Sequence, residues 1–266
     1  MNASPDIITK NDLLQLQLPA TIDEVIIQLE KIITYCQINN DCAGYFAVLY
    51  HKVTCKVKDC ITDKDFEDGI RMERLDVTFA NGYLYAFYSW IAGKPTSHSW
   101  KIAFDSVAQN KPLVLQHLLL GMNAHINLDL GIATALVMDG FSLDDIHKDF
   151  DTINSILASM IDNIEACLTK INPLMRLLNL NIYKYDEMLV QFSIATARDG
   201  AWVFAKELSL KKGNDYENCI STRDVSIQQI GNSIANPRGF LLRLIVGLIR
   251  LFEKKSVSAV MNFLGA

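Results

Sequence analysis

The feature that most constrains this chain is a stretch in which amides and ionisable groups are set inside an almost continuous apolar helix. It reads Gln116-His117-Leu118-Leu119-Leu120-Gly121-Met122-Asn123-Ala124-His125-Ile126-Asn127-Leu128-Asp129. At 3.6 residues per turn His125 and Asp129 share a face, while Gln116, Asn123 and Asn127 fall on nearly the opposite one. Leucines and Met122 fill the arcs between, so no side is wholly polar and the helix has to be surrounded by others. Its polar groups must then find partners inside the protein, because an unpaired buried polar group costs about 1–3 kcal/mol.

The rest of the chain supplies the surrounding helices. Thr21-Ile22-Asp23-Glu24 sets a carboxylate three residues after a hydroxyl, a reciprocal cap that predicts a helix from 21 to about 39. Further helices are predicted over about 41–61, 66–92 and 97–110; the second of these is rich in aromatics and is broken by Gly93-Lys94-Pro95. Pro112 suits the first turn of the central helix, which ends before Asp139-Gly140. Ser142, with Asp145 three residues on, caps a helix to about Asn172, and three more are predicted over about 185–210, 216–236 and 239–254. Alternating β-branched strands bounded by tight hairpins are hard to find. The predicted fold is all-α, a single-domain multi-helix bundle with a buried central helix near 112–138. The domain covers 21–266 and an N-terminal extension covers 1–20.

Half of the 266 residues are apolar, enough for a substantial core without covalent staples. Charged residues make up 21 % and the net charge is -5, with both signs interspersed, so the basic footprint of a nucleic-acid binder is missing and nucleic acid is not expected as a partner. The six cysteines form no CxxC pair and read as free core thiols. The N-terminal MNASPDIITKNDLL has neither the basic nor the continuous apolar region of a secretion signal, and a cytoplasmic location is expected. The densest apolar run, Phe240 to Phe252, is too short to span a membrane and carries Arg243 and Arg250 a heptad apart on one face. The expected arrangement is a C-terminal helix packed on the core with its arginines at the rim. The alternative is contact with an anionic membrane surface through 240–252, helped by Arg238, Lys254 and Lys255.

The blocks GMNAHINLDLGIA, RMERLDVTFANGY and DFDTINSIL resemble a bacterial family known only as a domain of unknown function. GMNAHINLDL is the most specific mark, and the likeness runs from the TIDEVI helix to Ala201-Trp202. The resemblance implies an intracellular helical domain and carries over no catalytic residue.

Three readings of the polar groups remain open. In the first, His125 and Asp129 bind a divalent metal such as zinc, with further ligands from Glu73, Asp76, Asp149 or Asp151, and an open position activates water for hydrolysis. His117, about 12 Å along the axis from His125, could join only a second sphere or a neighbouring metal. In the second, Asp129 fixes the His125 tautomer and leaves the other nitrogen as a general base; a nucleophile is then missing, since there is no G-x-S-x-G elbow and no cysteine is marked as reactive. In the third, His125–Asp129 is a structural pair and the amides tie neighbouring helices together. Asp76, Asn81, Gln116, Asn123 and Asn127 are the candidate ligand-pocket residues. The aromatics Phe79, Tyr83, Tyr85, Phe87, Tyr88 and Trp90 are expected in the core, and Arg198-Asp199 is expected as a structural pair. The functional expectation is a metal-assisted hydrolase, with a non-enzymatic helical module that binds a small molecule or a partner as the alternative.

Overall fold

Short polar side chains open several of the helices, because each accepts from an amide that the first turn leaves without an intrahelical partner. In the computed structural model, which describes residues 8–109, 112–174, 194–254 and 256–266, Thr9 and Asp12 form a reciprocal cap on α1 (Lys10–Leu14). Thr21 accepts from the Glu24 amide at 3.3 Å and starts α2 (Ile22–Asn39). The Glu24 carboxylate reaches one residue further back than a reciprocal cap requires, to the Ala20 amide at 2.8 Å. α3 (Gly44–Asp63) follows, then α4 (Gly69–Ile91), opened by Asp68, and α5 (His98–Ala108), opened by Ser97.

The central helix consists of α6 (Val114–Ala124), a π-helical turn (His125–Asp129) and α7 (Leu130–Val137). Pro112 is not in its first turn, contrary to the sequence expectation. Leu113 holds the N-cap position, and the Gln116 side chain reaches back to accept from the Leu113 amide at 2.9 Å, which starts the helix later. A 3-10 turn (Leu143–Ile146) capped by Ser142 leads into α8 (His147–Ile171). α9 (Ile194–Ser209), α10 (Asn214–Ala235), α11 (Phe240–Phe252) and α12 (Val257–Gly265) complete the chain. The helix predicted from 185 is seen from Ile194; its first residues lie outside the described ones. The short α1 and α12 were not expected. Ser256 caps α12, and Val260 and Met261 bury it against α3.

These twelve α-helices, with no strand among the described residues, make an all-α single-domain bundle. α6 packs against α3, α5 and α10, and the π-helical turn and α7 pack against α4 and α9. From Val114 to Leu130 every residue except Leu115 and Met122 is buried, as the helix's all-round apolar character requires. Gly121 permits the close approach of α3: a Cβ there would lie 2.5 Å from the Phe46 ring. The stretch before α2 is docked as well, with Leu13 fully buried and Gln28 Nε2 donating to Gln17 O at 2.6 Å.

α11 is less enclosed than expected. It seats Ile249 against Leu113, while Leu244, Leu248, Leu251 and Phe252 stay exposed. No helix among the described residues is long and apolar enough to cross a membrane. All six cysteine thiols are free.

Candidate functional site

The π-helical turn sits where the central helix passes α4. Leu130 N–H reaches back five residues to His125 O, one more than in an α-helix, and such bulges recur at functional sites. Across this widened turn His125 Nδ1 lies 3.1 Å from Asp129 Oδ2, which also accepts from Trp100 Nε1 at 2.9 Å. Gly82 on α4 makes room for the carboxylate, since a Cβ there would stand 2.9 Å from Asp129 Cγ. Burial pushes the Asp129 carboxyl up from its usual range, and the bonds from His125 and Trp100 pull it partly back.

Aromatic rings hold the imidazole in place. Phe79 stacks on it with ring centres 3.5 Å apart and planes 7° from parallel, and Tyr50 meets it edge-on at 4.5 Å. Burial keeps its pKa below the ordinary histidine value, against the opposing pull of Asp129. The carboxylate on Nδ1 assigns the ring proton to that nitrogen, which leaves Nε2 as a bare acceptor. Nε2 is buried and has no partner.

His125 lines a cavity of about 90 Å³ walled mainly by aliphatic and methionine side chains of α3, α4, the central helix, α8 and α9. Among the described residues, Tyr50, Asp76 and Arg198 are the other polar residues on its wall. The Tyr50 hydroxyl and Asp76 Oδ2 are buried without a hydrogen-bond partner, as is His125 Nε2. Burial, with Glu73 adding to it, pushes the Asp76 carboxyl up to about 7. Burial and the neighbouring Asp76 raise the Tyr50 phenol well above its ordinary value, against a smaller opposing pull from the Thr54 hydroxyl, which itself donates to the Tyr50 backbone carbonyl at 3.0 Å. On Arg198, Nη2 donates to Phe150 O at 2.5 Å and the guanidinium lies over the Phe150 ring at 4.3 Å, while Nε is unpartnered. Burial lowers its pKa to about 10. The expected ion pair with Asp199 is not formed.

The other candidates are placed elsewhere. Gln116 Nε2 donates to Ile234 O at 2.7 Å and Asn123 Nδ2 to Ile227 O at 3.0 Å, and Asn127 Nδ2 donates to Asn123 Oδ1 at 3.1 Å. Gln116 and Asn123 thus clamp α10, with Asn127 bracing Asn123, and none of the three is on the cavity wall. Asn81 donates to Pro19 O at 3.2 Å and is also off that wall.

His117 is not brought to His125 and Asp129. Its Nε2 lies 3.7 Å from Cys42 Sγ and its Nδ1 3.3 Å from Ser106 Oγ, and burial pushes the pair apart, His117 down to about 4 and Cys42 up to about 12. The further ligands considered for a metal are committed too. Asp149 accepts the Glu67 and Asp68 amides at 2.7 and 3.1 Å, Glu73 accepts from the Ile22 amide at 3.2 Å, and Asp151 faces His147 at 3.3 Å. Among the described residues no three His, Cys, Asp or Glu side chains form a group that could hold a metal ion.

Of the polar cavity residues, the sequence did not single out Tyr50 and read Arg198 only as half of a structural pair with Asp199. A signal for Arg198 was present: Ala201, Trp202 and Ala205, at helical spacings of three, four and seven, put it on the buried face of α9.

No curated protein and no solved structure matches the chain. The model of a family of unknown function, DUF5995, matches residues 22–237, a span that contains the π-helical turn and the whole cavity wall, and the chain belongs to that family.

Proposed function

We propose that the cavity beside the π-helical turn binds a small, mostly apolar molecule that carries a polar group. One observation supports this most: four buried polar atoms without a partner, His125 Nε2, Asp76 Oδ2, the Tyr50 hydroxyl and Arg198 Nε, belong to residues on the wall of one apolar cavity. Buried polar groups are nearly always paired, so four orphans around one space favour a ligand or ordered water that completes the bonding there. Apolar lining with a few convergent polar groups is the general character of small-molecule sites. The volume, about 90 Å³, is that of roughly three waters at ~30 Å³ each, which limits the enclosed part of the ligand to a few heavy atoms. Met72, Met122 and Met160 on the wall can repack around guests of different shape.

A second reading is favoured by Asp76, whose carboxyl titrates near neutrality at about 7. Together with the bare His125 Nε2 it forms an acid–base set suited to proton transfer on the bound molecule. Hydrolysis through a metal has less support, because the described residues of the cavity wall offer two ligands of the right type and not three.

The test is calorimetric titration, backed by thermal unfolding, with a panel of three- to six-carbon alcohols, amides and carboxylic acids. At least one should bind saturably and raise the melting temperature with concentration. Val53→Phe, which puts a ring into the cavity from its α3 wall, should abolish that binding while the fold persists. Absence of saturable binding across the panel, or binding indifferent to Val53→Phe, would reject the site.

A further inference from the structure

Buried ionisable groups in this protein are generally neutralised by what surrounds them. Asp129 is held by His125 and Trp100; Asp149 takes two backbone amides and faces Arg71 at 3.5 Å; Asp224 takes the amides of His98 and Ser99 at 2.6 and 2.9 Å. Two buried charged residues depart from this pattern, Asp76 and Arg198, and both line the cavity. They do not neutralise each other, since no ion pair joins them.

Arg198 is the more telling of the two. It is 3 % exposed, and among the described residues no carboxylate stands within ion-pair distance of its guanidinium. The acids whose charge it feels, Asp151 and Asp199, are exposed, and Asp151 faces His147. One Nη is committed to the Phe150 carbonyl and one face to the Phe150 ring, while Nε is free to donate. Arginine cannot discharge its burial cost by losing its proton at neutral pH, so a buried guanidinium without a counter-charge is expensive unless an anion joins it.

We infer that the molecule this cavity takes is a short monocarboxylate, its carboxylate accepting from Arg198 and its apolar body lying along the aliphatic wall; the inference rests on the cavity being a ligand site. A carboxylate matches the guanidinium's fork of parallel N–H donors, which a neutral polar group cannot do. A phosphate or sulfate fits less well. Among the described residues the wall has a single cation and otherwise mostly apolar atoms, too few donors for the oxygens of a dianion. The lack of a second buried cation among the described residues of the wall argues against a dicarboxylate on the same reasoning.

Acid and amide isosteres separate this inference from the reading beneath it. Propanoate, butanoate and hexanoate are titrated into the full-length protein at pH 7.5 beside propanamide, butanamide and hexanamide. The best acid is expected to bind at least tenfold more tightly than its amide. Arg198→Gln should bring the two within about twofold of each other, and Arg198→Lys, which keeps the charge and loses the fork, should keep only part of the preference. If an amide binds as tightly as its acid to the wild-type protein, the carboxylate inference fails while the cavity remains a ligand site. If neither acids nor amides bind, and alcohols bind in a manner that Val53→Phe removes, the inference fails in the same way. If nothing binds, the ligand site falls and the inference with it. The wild-type comparison decides the matter even if Arg198→Gln does not fold.

Discussion

The two polar faces of the central helix are built from similar residues and end in opposite conditions. On the face towards α10, Gln116, Asn123 and Asn127 each donate at 2.7–3.1 Å, two of them to backbone carbonyls of α10. On the face towards α4, His125 keeps one nitrogen bonded to Asp129 and leaves the other bare beside Asp76 and Tyr50, which are also unsatisfied. Low polarity around both faces makes paired groups strong and unpaired groups costly. The first face has therefore spent its polar groups on holding helices together. The second retains bonding capacity that folding alone does not use, and that is the physical difference between a clamp and a site. Removing a group from the clamp should destabilise the protein, and removing one from the site should stabilise it or leave it unchanged.

The largest expected effect is on Asp76, and its sign depends on pH. Its carboxyl goes from 3.8 in an unfolded chain to about 7 in the folded protein, chiefly through burial. Below the unfolded value both states hold the proton. As pH rises from about 4 to about 7 the unfolded chain has released it and the folded protein has not, so the wild type loses stability by up to about 1.4 kcal/mol per pH unit. Asn cannot ionise. Asp76→Asn should thus match the wild type near pH 4 and gain on it steadily, leading by about 4 kcal/mol at pH 8. Urea denaturation of both proteins across this range measures the gap, and comparing the two cancels the opposing titrations of His117 and His125. A gap that does not change with pH would mean that Asp76 has a partner, and the contrast between the two faces would be lost.

Next in size is the clamp. Asn123→Ala removes the donor to Ile227 O, strands the Asn127 amide and leaves a small void, and should cost about 2–3 kcal/mol at any pH between 5 and 8. Reduced midpoints in urea without a change of slope would show a loss confined to stability. If Asn123→Ala were neutral, the amides would not be a clamp and both faces would have to be reconsidered as ligand surfaces.

The separation of these faces was legible in the sequence because it follows from helical spacing alone. So were most helix starts, since Thr21, Ser97 and Ser142 act on amides two or three residues away. Features that depend on what arrives from elsewhere were not legible. The π-helical turn leaves the i, i+4 relation of His125 and Asp129 intact, so spacing gives no sign of the extra residue. Pro112 looked like a first-turn residue because the Gln116 side chain that sets the real start acts on Leu113. His117 was grouped with His125 because they share a helix, whereas its partners, Cys42 and Ser106, come from the start of α3 and from α5. Asp76 could be singled out as a charge in an apolar helix, but that Tyr50, Arg198 and Asp76 meet around one cavity is a property of three helices packed together.

The smallest effect is the sharpest discriminator. Tyr50 is buried on α3, its ring packed edge-on against His125, and its hydroxyl has no partner. Tyr50→Phe keeps the ring and deletes only the oxygen. At a clamp this deletion would leave a partner unsatisfied and cost about 1–3 kcal/mol. At an unsatisfied site it removes a desolvated group that had no bond to lose, so stability without ligand should change by less than about 0.5 kcal/mol or rise slightly. Affinity should move the other way, because a hydroxyl that bonds only the bound molecule matters only when that molecule is present. The measurement is a pair of melting curves for Tyr50→Phe and wild type, each with and without the tightest ligand of the calorimetric panel. A loss of stability without ligand, together with an unchanged ligand-induced shift, would show that Tyr50 belongs to the scaffold and would take one of the four supports from the site.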